Sequence, residues 1–282
     1  MYKQFLKYLT IAGIPFVISG CLENKNNTDK LCKDNPGLRC EELNMHDGQC
    51  RLPRTNLVWH RLDVLRDPTD INKIEEYKLT QEYKKCLETA AQIQPINQAE
   101  IKNKRAMAYV NAGNSMAALE KELLKYNTAE SLYFLWSQTG NKHARRQFLR
   151  MEGSQELNTA RMQYALATFY IDKDRQKTIK LLNRALQLSD PKTLNVSILE
   201  SLASLNRLLR HNEDSYIWAI VGKEYGVPVA SERDLKIIYG FSDEKFSQLD
   251  DIADKVISAI NNKRFKPSLI AEAMNPPAPA EE

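Results

Sequence analysis

From about Arg54 onward the chain places apolar residues at helical spacing and offers no clear alternation of the kind a strand needs. Leu79, Tyr83, Cys86, Leu87 and Ala90 fall along one helical face. Asp67 followed by Pro68 reads as an N-cap with proline at the first helical position, and Pro95 as the end of that segment. Further helices are expected over 97–112, 115–125, 128–139, 142–152, 156–171, 174–188, 194–210, 213–225, 230–240 and 243–262. Gly113, Gly140, Gly153 and Gly226 punctuate them as C-cap glycines would. Short turns between short helices mean helical hairpins in series, so the expected class is all-α. The hydrophobic share of 43% is enough for a core.

The N-terminus has a different character. Lys3 and Lys7 precede Leu9–Gly20, which is apolar or small. That run is shorter than the roughly 20 residues a bilayer span needs, and it follows a basic start as a secretory signal does. Val17-Ile18-Ser19-Gly20-Cys21 resembles the lipobox of bacterial lipoproteins. The resemblance implies that residues 1–20 are a signal peptide removed before Cys21, whose thiol takes diacylglycerol and whose amino group is acylated. Several acyl chains anchor stably where one does not. In the lipoprotein sorting pattern Asp after the cysteine retains a protein at the inner membrane; Leu22 stands here, which implies the outer membrane, facing the periplasm. Residues 21–30 read as a polar, lipidated tether.

An oxidising compartment bears on the other cysteines. Cys32, Cys40, Cys50 and Cys86 are an even set, so two disulfides are expected, in one of three connectivities. Short loops close most easily, which favours Cys32–Cys40 with Cys50–Cys86. No pair has the C-x2-C spacing of a zinc site, and no metal is expected. Residues 31–53 form a cysteine-rich head with turn signals at Asp34-Asn35-Pro36-Gly37 and Asp47-Gly48. It holds too little apolar sequence for a core of its own, and Cys86 would tie it to a helical domain over 54–265. Residues 266–282 read as a tail, its Asn275–Ala280 stretch disordered.

Within the body, Leu166-Ala167-x-x-Tyr170, then Ile179 and Pro191, resembles spaced positions of the tetratricopeptide repeat. Leu202-Ala203 repeats the pair 36 residues on. Tyr216-Ile217-Trp218-Ala219 with Gly222-x-x-x-Gly226-Val227-Pro228 is similar to the second helix of a Sel1-like repeat. The expected architecture is therefore a tetratricopeptide/Sel1-like helical-hairpin array behind a small disulfide-stapled head. On a larger scale, Asn27-Thr28-Asp29-x-Leu31-Cys32, Asn35-Pro36-x-Leu38-x-Cys40, Asp47-Gly48-Gln49-Cys50-Arg51-x-Pro53-Arg54-Thr55 and Trp59-His60-Arg61 are similar to a family of uncharacterised gammaproteobacterial lipoproteins. That family implies an anchor and a cysteine head over nearly the full chain, and brings no activity.

No catalytic constellation is legible. His46, His60, His143 and His211 lack metalloprotease spacing, and P-loop, dinucleotide and serine-elbow motifs are missing. Glu75, Glu76 and Glu82 read as a solvated helix face. Two clusters stand out. Arg54, Trp59, His60 and Arg61 form a candidate lip for an anionic or carbohydrate ligand, or pack structurally under the head. Lys142, Arg145, Arg146 and Arg150 share a basic helix face with His143 beside them. A net charge of +4 gives no case for nucleic acid. The expected function is a membrane-anchored, non-enzymatic interaction scaffold for an envelope protein or peptide, without cofactor. The alternatives are a cell-wall-acting enzyme or its accessory factor, and a purely structural envelope protein.

Overall fold

Helix starts and stops are set by local chemistry along most of the chain. In the computed structural model, which describes residues 27–93 and 99–275, thirteen α-helices follow one another and no strand occurs among the described residues. They are α1 (Thr28–Asp34), α2 (Arg51–Arg66), α3 (Asp70–Gln92), α4 (Ala99–Tyr126), α5 (Ala129–Thr139), α6 (Lys142–Arg150), α7 (Ala160–Tyr170), α8 (Arg175–Leu188), α9 (Ser197–Leu208), α10 (Asn212–Glu224), α11 (Glu232–Tyr239), α12 (Asp243–Asn261) and α13 (Leu269–Met274). Thr128, Asn141, Thr159, Asp174, Ser231 and Ser242 each accept a hydrogen bond from a first-turn amide, satisfying donors the helix leaves open. Gly140 ends α5 at φ 69°, its N–H bonded back to Leu135 and Trp136 carbonyls. That conformation suits glycine because it has no Cβ.

Four sequence expectations are corrected. Residues 97–112 and 115–125 are not two helices: α4 runs unbroken through Gly113. A glycine inside a helix costs about 1 kcal/mol, and burial of Ala108, Ala112, Leu119 and Leu123 on either side of it outweighs that. Asp67 does not cap α3; it closes α2, its N–H bonded to Asp63 O at 2.8 Å. Thr69 does the capping, accepting from Asn72 N at 3.3 Å. The segment 156–171 divides into a short 3-10 turn, Gln155–Leu157, and α7. Of the stretch expected as a tail, α13 is helical and buries Ile270. Cys21, Pro95 and residues 276–282 lie outside the described residues.

The chain forms two compact units. One comprises the described residues up to Asp67 together with Lys78–Asn114; the other comprises Pro68–Tyr77 and the residues from Ser115 onward. The first unit holds the cysteine head, α2, and parts of α3 and α4. Its core joins Leu38, Leu57, Val58, Leu62, Tyr83, Leu87, Ala108 and Ala112. Two disulfides close on it, Cys32–Cys40 and Cys50–Cys86, in the pairing that loop length favours. The head's apolar residues thus have a core, but they borrow it from helices far along the chain.

The second unit is built on hairpins. α5 packs on α6, α7 on α8 and α9 on α10; α8 joins α9, and α12 packs on α10. One core cluster centres on Leu123, Leu132, Leu135, Phe148 and Leu166. The next centres on Leu182, Leu199, Ile217, Leu249 and Val256, and begins with Ala167. The adjacent pair Leu166-Ala167 therefore serves two clusters from one helix.

At the start of this unit, Tyr77 meets Phe134 edge-on, ring centroids 5.1 Å apart, and donates from its hydroxyl to Glu120 Oε1 at 3.0 Å. Burial first, and the carboxylate acceptor second, push this phenol up to about 12. The folded state favours the neutral phenol. Its stabilisation is present below the unfolded value near 10 and is lost as pH rises from about 10 to about 12. Tyr77→Phe should flatten that alkaline loss. Denaturation midpoints for both proteins across the range will show it, and parallel curves would refute it.

Candidate functional site

The arginines of the sequence-proposed lip turn inward. Arg54 is 6% exposed and Arg61 3% exposed. Arg54 donates through Nη1 to the carbonyls of Asn44 and Asp47, the latter at 2.8 Å. Arg61 donates through Nη1 to Leu38 O at 2.9 Å. Their work is to satisfy carbonyls of a head that has little regular structure to satisfy them. Trp59 packs partly buried against the same core, and His60 Nδ1 lies 3.8 Å from Asp63. Arg54 also lines an open cleft; Trp59, His60 and Arg61 do not.

A polar hub in this unit went unread in the sequence. Asp47 accepts from Arg105 Nε at 2.5 Å and Nη2 at 3.2 Å, from Asn44 Nδ2 at 2.9 Å and from Gln49 N at 3.0 Å. Arg105 Nη1 reaches Ala90 O at 2.8 Å, at the end of α3. The hydrogen bond from Arg105 leads the effects that hold the Asp47 carboxyl below its ordinary value, against desolvation. Asn44 N donates to Tyr83 Oη at 2.9 Å. The only sequence signal was the Asp47-Gly48 turn, which gave no hint of an arginine 58 residues on.

In the second unit, a groove of about 500 Å³ is lined by the first helix of three successive hairpins. Tyr133 comes from α5, Arg161 and Tyr164 from α7, Ile198 from α9; Asp190 and Asn195 come from the connection before α9. Arg161 Nη1 lies 2.6 Å from Glu130 Oε2, and its guanidinium carbon sits 5.8 Å from the Tyr133 ring centroid. Burial pushes the Glu130 carboxyl up; Arg161 opposes it. Asp190 is held low, first by its hydrogen bond from Lys263 at 2.5 Å. Aromatic faces, a guanidinium, a carboxylate and an amide suit recognition of a mixed polar and apolar chain. No His or Cys is among the lining residues.

The other sequence candidates are less concentrated. Lys142, His143, Arg146 and Arg150 are exposed and Arg145 half-buried, while Ala144 and Phe148 of the same helix are buried. Of the three carboxylates expected on a solvated face, Glu82 is exposed, Glu75 half-buried and Glu76 buried. Among the described residues no group of three or more His, Cys, Asp or Glu is placed to hold a metal ion, and no helix is long and apolar enough to cross a membrane.

The sequence pattern of a family described as a protein of unknown function, DUF2989, matches residues 18–220. The chain belongs to this family. The DUF2989 match takes in the cysteine head, the polar hub and the groove, and it stops within α10. No curated protein and no solved structure matches the chain.

Proposed function

We propose that the chain is a lipid-anchored interaction scaffold of the bacterial cell envelope. In this reading the leader is removed before Cys21, that cysteine carries the lipid, and the body faces the periplasm from the outer membrane. The pairs α5–α6, α7–α8 and α9–α10 then act as tetratricopeptide- or Sel1-like repeats. The observation that carries the reading is the groove, to which each of three consecutive hairpins contributes its first helix. Hairpin arrays bind extended partners along such surfaces. The groove's chemistry favours a peptide segment with an apolar or aromatic side chain against Tyr133 and Tyr164 and an acidic group near Arg161.

Crosslinked envelopes provide the test. The wild-type chain should recover a reproducible protein partner, and Arg161→Glu with Tyr164→Ala should lose it. Equal recovery by both would remove the groove from the reading, and no reproducible partner would remove the scaffold. The anchor is tested separately. Cys21→Ser should accumulate as an uncleaved precursor without lipid, and a mature-sized variant still held at the membrane would overturn it.

A further inference from the structure

We propose that the cleft at the start of α2 seats the phosphate of a membrane-lipid headgroup, with Leu52 at its rim against the acyl region. The proposal rests on the anchored reading for the source of the lipid. The cleft itself, of about 560 Å³, rests on its own residues. Arg51, Arg54 and Thr55 stand at helical spacing on one face of α2, and Thr28 and Asp29 of α1 also line the cleft. Arg54 is nearly buried, yet its Nε has no hydrogen-bond partner among the described residues. A buried guanidinium donor left unspent is costly unless something supplies an acceptor. Arg51 beside it is exposed. Two guanidiniums against the single Asp29 carboxylate leave the cleft net positive. The mixture matches a zwitterionic headgroup, with phosphate on the arginines and ammonium towards Asp29.

Chain length selects the lipid over a free phosphate. Asn27, at the cleft's edge, lies six residues from Cys21, so the extended connection spans at most about 20 Å. An anchored Cys21 keeps this cleft close to headgroups at all times. Leu52 is 71% exposed on its rim. An apolar side chain flanked by a guanidinium fits the boundary between headgroups and acyl chains.

The first turn of α2 is a built-in reporter. Its N-cap, Cys50, makes no side-chain capping bond, and Pro53 has no N–H, so the amides of Arg51 and Leu52 are left open to exchange ahead of Arg54, whose N–H bonds to Cys50 O at 3.1 Å. The purified full-length lipoprotein is placed in nanodiscs of phosphatidylethanolamine, and amide exchange at Arg51 and Leu52 is compared with the protein in detergent. Exchange should slow by about tenfold in nanodiscs, and Arg51→Glu should abolish the slowing. Inorganic phosphate added to the detergent sample should not reproduce it. Identical exchange in both settings, indifference to Arg51→Glu, or equal protection by phosphate alone would each overturn the lipid assignment. The mass of the N-terminal peptide reports the lipid on Cys21 independently. If that lipid is missing, the anchored reading fails while nanodiscs in excess still test the cleft, where unslowed exchange again overturns it.

Discussion

Arg105→Leu will lower the stability of the first unit by about 3–5 kcal/mol, the usual cost of stranding one member of a buried ion pair. Arg105 is 5% exposed and its partner Asp47 nearly as enclosed. The change removes both bonds to the carboxylate and also the donor to Ala90 O. Acid supplies the internal control. In the wild type, the lowered Asp47 value means its stabilisation is present above the ordinary carboxylate pKa, and is lost as pH falls through the folded-state value. In the variant the stranded carboxylate should titrate high, so acidification neutralises it and narrows the gap between the two proteins. Arg105→Leu with Asp47→Asn should recover part of the loss at neutral pH. Chemical denaturation at neutral and mildly acidic pH tests all of this. A cost below about 1 kcal/mol would mean the pair is screened as surface pairs are.

Ending the chain after Gly226 will abolish the fold of the second unit. The family match stops at residue 220, which invites a cut nearby, but the core does not stop there. Tyr216, Ile217, Trp218 and Val221 share a cluster with Phe246, Leu249, Ile252, Val256 and Phe265, all buried. Tyr216 also donates to Asp250 Oδ1 at 2.8 Å, and Trp218 meets Phe265 edge-on at 5.8 Å. Uncovering that many large side chains forfeits on the order of 10 kcal/mol at roughly 1.5–3 kcal/mol each. A domain's whole stability is about 5–15 kcal/mol. The truncated protein should be aggregated or lack a cooperative thermal transition by circular dichroism. Leu249→Ala in the full chain should keep the transition but lower its stability by about 2–5 kcal/mol. A soluble, cooperatively melting truncation would show that α11–α13 are dispensable.

Helical class was readable because periodicity and capping are local. Gly140 and the hairpin turns lie near their sequence-predicted places for that reason. Gly113 misled because a glycine's local cost was set against distant burial that spacing alone does not weigh. Asp67 misled because it closes α2, which leaves Thr69, two residues on, to cap α3. The disulfide pairing followed from loop closure. What stayed hidden were the noncovalent contacts between residues far apart. Asp47 meets Arg105 and Asn44 meets Tyr83 only once the helices pack, and neither spacing carries a motif. The groove is hidden for the same reason, since each hairpin supplies one or two residues that look like ordinary core or surface.

The two disulfides place a clock on the head. A chain that emerges N-terminus first presents Cys32 and Cys40 only 8 residues apart, and these can join at once. Cys50 must wait for Cys86, 36 residues later. The head also waits for Tyr83 and Arg105 to receive its loop. Throughout that interval Cys50 is a free thiol, and the nearest cysteine, Cys40, is already joined to Cys32, so Cys50 can mispair only by attacking that bridge. If the chain is exported as proposed, any exchange of Cys50 into the Cys32–Cys40 bridge would have to be reversed before Cys86 can pair, a step that a disulfide isomerase catalyses. On that reading the order in which the cysteines arrive bears on the pairing as much as the final geometry does.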